Sequence, residues 1–369
     1  MLSEITIRNL RNITDQSFMP VTGINLLVGP NGAGKTSVLE AIHLLGLGRT
    51  FRSRALKNAI QFDKQQLQVV AKTVQNKMPI GLQYSAEAGL EIRFNNAPLK
   101  KLSDLAAQLP LQLIPANSHQ FFEQGPRFRR QLLDWGLFHV EPSFNFHWQS
   151  YKKVLQQRNA SIRQRKNFKE IQLWDQHLIE HGNQLTDLRK KRLDTILKQF
   201  EFYFKLVCPQ FENSKLSLKY KTGWSREITF EESIKLNLEK DYQLGYTRSG
   251  AHAADWSFKI DEYEAKDVFS RGQQKLFFLA LSMAQIKSSE DSNNPKGILL
   301  IDDLSSELDE IHLEIILRQL NTMPVQIFIS STDESLVALV NKIENNYALF
   351  HVKQGPVSYT HLTLPTIQL

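Results

Sequence analysis

Gly29-Pro30-Asn31-Gly32-Ala33-Gly34-Lys35-Thr36 decides the fold of this 369-residue chain. The spacing is G-x-x-x-x-G-K-[ST], and the flanks are those the pattern demands. Upstream, Gly23-Ile24-Asn25-Leu26-Leu27-Val28 reads as a short buried strand of apolar β-formers that stops at a turn cluster. Downstream, Val38, Leu39, Ile42 and Leu45 recur at three- and four-residue steps, which predicts a helix over 35–46. Strand, glycine-rich loop and helix in that order build a phosphate cradle, because the glycines let backbone N–H groups turn inward toward phosphate oxygens. Lys35 supplies a mobile cation for the β- and γ-phosphates, Thr36 a hydroxyl for Mg²⁺, and the helix N-terminus adds positive charge. The candidate ATP-binding run is Gly29, Pro30, Asn31, Gly32, Ala33, Gly34, Lys35, Thr36 and Ser37.

The matching acid lies 267 residues beyond Lys35, in Gly297-Ile298-Leu299-Leu300-Ile301-Asp302-Asp303. Four apolar residues followed by a carboxylate describe a buried strand that delivers an acid at its C-terminal end, where α/β sheets bind ligands. Asp302 is placed to hold Mg²⁺ through water, and Asp303 to orient or deprotonate an attacking water.

Around these motifs the chain reads as a parallel α/β core with an insertion. Short alternating stretches near 67–74, 80–84 and 90–94 predict an antiparallel meander. From about 127 to 208 the chain becomes helical, with an apolar stripe of Leu185, Leu188, Ile196, Phe200 and Tyr203. Strands are predicted near 215–220, 256–260, 297–301, 325–329 and 347–352, with a helix around 310–320. The expected organisation is an ATPase head of 1–125 and 245–357, a helical basic lobe of 126–244, and an atypical tail of 358–369 that lacks Asp, Glu, Lys and Arg. The polar run 288–296 is a predicted surface loop.

Composition narrows the class. Hydrophobic residues make up 41% of the chain, enough for a packed core. No apolar run approaches the ~18–20 residues of a membrane span, and no secretory signal opens the chain. Cys208 is the one cysteine, so neither an intramolecular disulfide nor a cysteine zinc site forms, and a cytoplasmic, reducing setting fits. The net charge of +7 is concentrated: residues 151–200 carry 12 basic and 5 acidic residues, and the remainder is neutral.

Phe269-Ser270-Arg271-Gly272-Gln273-Gln274-Lys275-Leu276 resembles the ABC-type signature, and Ser305-Ser306-Glu307-Leu308-Asp309 resembles that class's D-loop. Ser270 and the N–H groups at the helix start form a second anion site. The resemblance implies that Ser270, Gly272 and Gln273 bind the γ-phosphate of ATP held by a second protomer, so that ATP is sandwiched in a homodimer. Further segments are similar to the RecF family: Ile7-Arg8-Asn9-Leu10-Arg11-Asn12, Ser37-Val38-Leu39-Glu40-Ala41-Ile42, Gly48-Arg49-Thr50-Phe51-Arg52, Gly125-Pro126-Arg127-Phe128-Arg129-Arg130 with Leu133-Asp134-Trp135, and 247–255. The resemblance runs in order over nearly the full chain. It implies an SMC-like ATPase head with a helical second lobe, slow DNA-stimulated ATP hydrolysis, binding to duplex or gapped DNA, and work with RecR and RecO. It also has departures: Leu10 replaces an aromatic residue, Ala251 and Ala253 replace Pro and Arg, and Ser330-Ser331-Thr332 stand where ABC transporters place a switch histidine.

Two competing readings are a transport ATPase subunit, which would need a membrane partner, and a DNA-bound scaffold that uses ATP without productive turnover. The basic insertion is a candidate DNA surface, yet its cations share their helical arc with Tyr151, Leu155 and Ile162, and a break is predicted near 164–168. Within it, His177-Leu178-Ile179-Glu180-His181 matches H-x-x-E-H, but no further acidic ligand is identifiable, so an exposed helix is the simpler reading.

Overall fold

In the computed structural model, the strand before the cradle runs Ile24–Val28 and is buried along its whole length, because it lies inside a six-stranded sheet. The structure describes residues 1–118, 120–289, 297–343, 347–353 and 357–361. It divides into two compact units, Met1–Ser118 with Asn293–Leu369, and His119–Ser292.

In the first unit the sheet has the order Val357–His361, Ala348–Val352, Ile24–Val28, Gln326–Ser331, Ile298–Ile301 and Leu111–Ile114. All neighbours are parallel except the first two. Burial on both faces explains why Ile298–Ile301 and Gln326–Ser331 read as continuous runs rather than alternating ones. The strand Leu111–Ile114 was not predicted; four residues after a proline are too short a signal. Residues 358–361, set apart as tail, continue the edge strand that pairs with Ala348–Val352. The rest of that tail, and 290–296 of the predicted surface loop, lie outside the described residues.

A second, antiparallel sheet has the order Ile13–Phe18, Leu2–Leu10, Gln66–Thr73, Pro79–Ser85, Gly89–Phe94 and Ala97–Pro98. The meander was legible, while the opening hairpin was not read as strands. The helix Lys35–Leu47 packs against strands of both sheets. Its predicted stripe was therefore too narrow: Glu40, Ala41, His43 and Leu44 are buried as well. Gly48 ends it in the left-handed region (φ 62°), donating its N–H to Leu44 O at 2.8 Å.

In the second unit the helices Pro126–Val140, Pro142–Arg163, Phe168–Gln172 and Asp175–Val207 form the insertion, with the predicted break between Arg163 and Phe168. A three-stranded sheet has the order Tyr263–Glu264, Asp255–Ile260 and Leu216–Lys221. Residues from 245 to 289, expected with the P-loop, pack with this unit. The reason is aromatic: Phe277 of the helix Arg271–Lys287 sits 4.8 Å from Phe200 and 4.9 Å from Phe258, ring centre to ring centre. Phe121 joins the same cluster, 5.6 Å from Trp256, which carries the unit's start ahead of the expected 126.

Burial divides the basic insertion. Arg158 is fully buried, with Nε 2.8 Å from Asp175 Oδ1 and Nη1 2.9 Å from Asp241 Oδ2. Arg189 is bidentate to Asp134 at 2.8 Å and donates to Ala251 O. Arg192 donates to Gln285 O and Ser288 O at 3.0 Å, closing the end of the helix Arg271–Lys287. These three arginines hold the lobe together and are not a surface. His181 does not converge with His177; its Nδ1 lies 3.1 Å from Nδ1 of His147, and His177 is exposed. Among the described residues no group of three or more His, Cys, Asp or Glu comes together to hold a metal, and no helix is long and apolar enough to cross a membrane.

Candidate nucleotide site

The parallel strands end at a cleft of about 470 Å³ in the first unit. Asn31, Gly32, Gly34, Lys35, Thr36 and Ser37 line it from the loop side, and Asp302 and Asp303 from the end of Ile298–Ile301. The loop is shaped by Gly32 and Gly34, at φ 75° and 117°. A Cβ on Gly34 would also meet the Asn12 side chain at 3.0 Å. Asn12, which also lines the cleft, braces the loop: its Nδ2 donates to Gly32 O at 3.2 Å, and its Oδ1 accepts from Ser37 Oγ at 2.9 Å. Gly29, Pro30 and Ala33 do not line the cleft: Gly29 lies against Val352 O, and Ala33 is buried with its N–H donating to Pro30 O at 3.2 Å. Lys35 Nζ donates to Gly29 O at 2.7 Å and Pro30 O at 2.9 Å. Burial lowers the Lys35 pKa from its ordinary value, and the Asp303 and then the Asp302 carboxylates oppose that shift.

Thr36 Oγ1 donates to Asp302 Oδ1 at 2.9 Å, so the P-loop hydroxyl and the distant acid meet. Both are hard oxygen donors, which suits Mg²⁺ with water completing its shell. Asp302 is buried among hydroxyls, and Asp303 follows it in the left-handed region at φ 52°. A cleft lined by one ammonium, two guanidinium groups and adjacent carboxylates can accept a triphosphate and its metal, and can polarise a water.

Ser270, Gly272 and Gln273 lie in the second unit. Ser270 is the N-cap of Arg271–Lys287 in a capping box: Gln273 N donates to Ser270 Oγ at 3.3 Å, and Ser270 N to Gln273 Oε1 at 2.9 Å. Ser270 and Arg271 are exposed at this helix N-terminus, and Gly272 and Gln273 are half-buried.

Sequence reasoning assigned no site role to several lining residues. Arg11, Asn12 and Arg52 entered only through resemblance, and Ser330 and Thr332 only as replacements for a histidine. The arginines are held by Glu40, which is fully buried: Arg11 Nε and Nη2 lie 2.9 and 2.8 Å from its carboxylate, and Arg52 Nη1 3.8 Å. Glu40 falls outside the apolar stripe of Val38, Leu39, Ile42 and Leu45, so no local pattern in the sequence marks it as a buried acid.

A family model described as the RecF/RecN/SMC N terminal domain matches residues 1–358. The DNA replication and repair protein RecF of Nitrosococcus oceani is 39% identical over 360 residues, spanning 96% of this chain and 98% of that protein. The chain belongs to the RecF family. RecF of Shewanella frigidimarina is 36% identical, with 97% of this chain and 99% of that protein covered. The solved structure of the recombination mediator protein RecF with ATP, of the RecFOR pathway, matches with a TM-score of 0.83 at 25% identity, covering 98% and 97% of the two chains. An SMC head shares the fold, at a TM-score of 0.62 and 12% identity over 99% and 98%. The RecF-type architecture, an ABC/SMC ATPase fold with parallel and antiparallel sheets, is thus the one expected.

Proposed function

We propose that this chain is an ATP-binding protein of DNA replication and repair that binds Mg-ATP in the cleft and hydrolyses it slowly, with DNA as stimulus. The observation that carries this reading is the Thr36–Asp302 hydrogen bond, which joins the phosphate cradle to its metal-side acid within one cleft. The loop N–H groups and Lys35 bind the β- and γ-phosphates; to do so, Nζ exchanges two loop carbonyls for phosphate oxygens. Thr36 and Asp302 would hold Mg²⁺, which neutralises phosphate charge when bound. Asp303 orients the attacking water and accepts its proton.

The capping-box turn at Ser270 supports a composite site: one protomer's cradle with its partner's Ser270, Gly272 and Gln273 around the γ-phosphate, closing an ATP-dependent homodimer. DNA is bound through its phosphates, and the exposed stretch 163–169, with four basic and no acidic residues, is the best surface for it in the insertion. By analogy with the RecFOR pathway named for the solved RecF, RecR and RecO are the partners, in the cytoplasm. The test is ATP titration with and without Mg²⁺, followed by turnover with and without gapped duplex. Mg²⁺-dependent binding and DNA-raised turnover are expected; ATP binding without any turnover would leave the scaffold reading standing.

A further inference from the structure

The strand Gln326–Ser331 lies between Ile24–Val28 and Ile298–Ile301, so its C-terminal end stands between the P-loop and the two acids. Ser330 is at that end, almost fully buried, and lines the cleft. Its hydroxyl makes two bonds of opposite sense. Oγ–H donates to Asp302 Oδ1 at 2.7 Å, and Oγ accepts from Asp303 N at 2.8 Å. Its carbonyl accepts from Leu304 N at 3.1 Å.

The geometry has a physical cause. The ladder between the two strands closes at Ile301 and Ile329. Past that point Asp303 turns into the left-handed region, where its N–H leaves the ladder direction. A half-buried N–H turned off the ladder needs an acceptor, and a side-chain hydroxyl one residue beyond the last ladder pair supplies it. The same hydroxyl then has one proton to give, and it goes to Asp302. One serine thus fixes the backbone that aims Asp303 and the carboxylate of Asp302.

Asp302 Oδ1 also accepts from Thr36. When Thr36 turns its oxygen to a metal, Ser330 is the donor whose bond to Asp302 does not depend on that metal.

We infer that Ser330 is a positioning residue for ATP hydrolysis, holding Asp302 and Asp303 in working register through the nucleotide cycle. The inference rests on the proposed ATPase reading. Its Oγ touches the two acids rather than the reacting atoms, so its loss falls on turnover more than on nucleotide binding.

The experiment compares wild type, Ser330→Ala and Ser330→Thr in the full-length protein, measuring ATP affinity, kcat with DNA, and Tm. For Ser330→Ala the expected result is a kcat about tenfold lower or more, with ATP affinity within about threefold. Ser330→Thr keeps a hydroxyl at the same place and restores most of the rate. The inference is overturned if Ser330→Ala turns over at the wild-type rate, if affinity and Tm fall together with kcat, or if Ser330→Thr is as slow as Ser330→Ala. A wild type that binds no ATP would instead remove the ATPase reading and this inference with it, and the control lane distinguishes the two failures.

Discussion

Thr36 Oγ1 donates to Asp302 Oδ1 at 2.9 Å, although 266 positions separate the two residues in sequence. The two oxygens proposed to share one metal are in contact within the fold itself. Asp302→Asn keeps the size of the side chain but removes the charge and one strong acceptor. The expected outcome is ATP binding that no longer improves when Mg²⁺ is added, and turnover lower by about a hundredfold or more. Titrations with and without Mg²⁺ on the variant check this.

Lys35 and Ser270 should separate binding from assembly. Lys35→Met removes the ammonium facing Asp302 and Asp303 and lowers ATP affinity by about ten- to a hundredfold. Ser270→Arg breaks the capping box at a cost of about 1 kcal/mol and puts bulk at the proposed composite surface. It should keep ATP affinity and lose ATP-dependent dimerisation, measured by sedimentation. A Ser270→Arg protein that dimerises normally with ATP would remove the composite site.

His43 gives a pH signature to the P-loop helix. Burial drives its pKa down from 6.5 to about 4, while Nδ1–H donates to Arg49 O at 2.7 Å. Between those values the unfolded chain takes up a proton that the folded chain refuses, so stability falls as pH drops from about 6.5 toward 4. The loss is about 2 kcal/mol at pH 5. Urea unfolding at pH 7.5 and 5 should show it, and His43→Gln should flatten the difference by about that amount whatever its own stability.

Elements whose side chains report one environment were legible in sequence. Ile298–Ile301 is apolar throughout because both faces are covered, and its acid follows at once. The cradle was legible because glycine, lysine and threonine each have one job there. Ser330 was not, because nothing in a serine records that an N–H 27 positions earlier in the chain turns left-handed and needs an acceptor. Arg158, Arg189 and Arg192 misled for the opposite reason: a formal charge reads the same in sequence whether solvated or bonded inside the lobe, to acids for Arg158 and Arg189 and to backbone carbonyls for Arg192. Asp241, which pairs with Arg158, and Asp134, which pairs with Arg189, lie 83 and 55 positions away, outside any local pattern.

That division of the arginines sharpens the DNA prediction. Arg163 and Lys169 are exposed, and neither has an ion-pair partner among the described residues. Between them Arg165 is anchored, donating to Tyr242 O at 2.6 Å with its guanidinium 4.8 Å from the Tyr242 ring centre. Lys166 is 3.5 Å from Glu170, an exposed pair that contributes little to stability and is readily exchanged for a phosphate. Arg163→Ala with Lys169→Ala should therefore leave folding intact, weaken duplex binding without sequence preference, and reduce the salt slope of log K by about two. Arg189→Ala should behave differently, costing about 3–5 kcal/mol because Asp134 is left partly buried without its cation. Fluorescence anisotropy over a salt series, paired with Tm for each variant, separates the two effects. An unchanged salt slope in the double variant would move the DNA contacts off this stretch of the lobe.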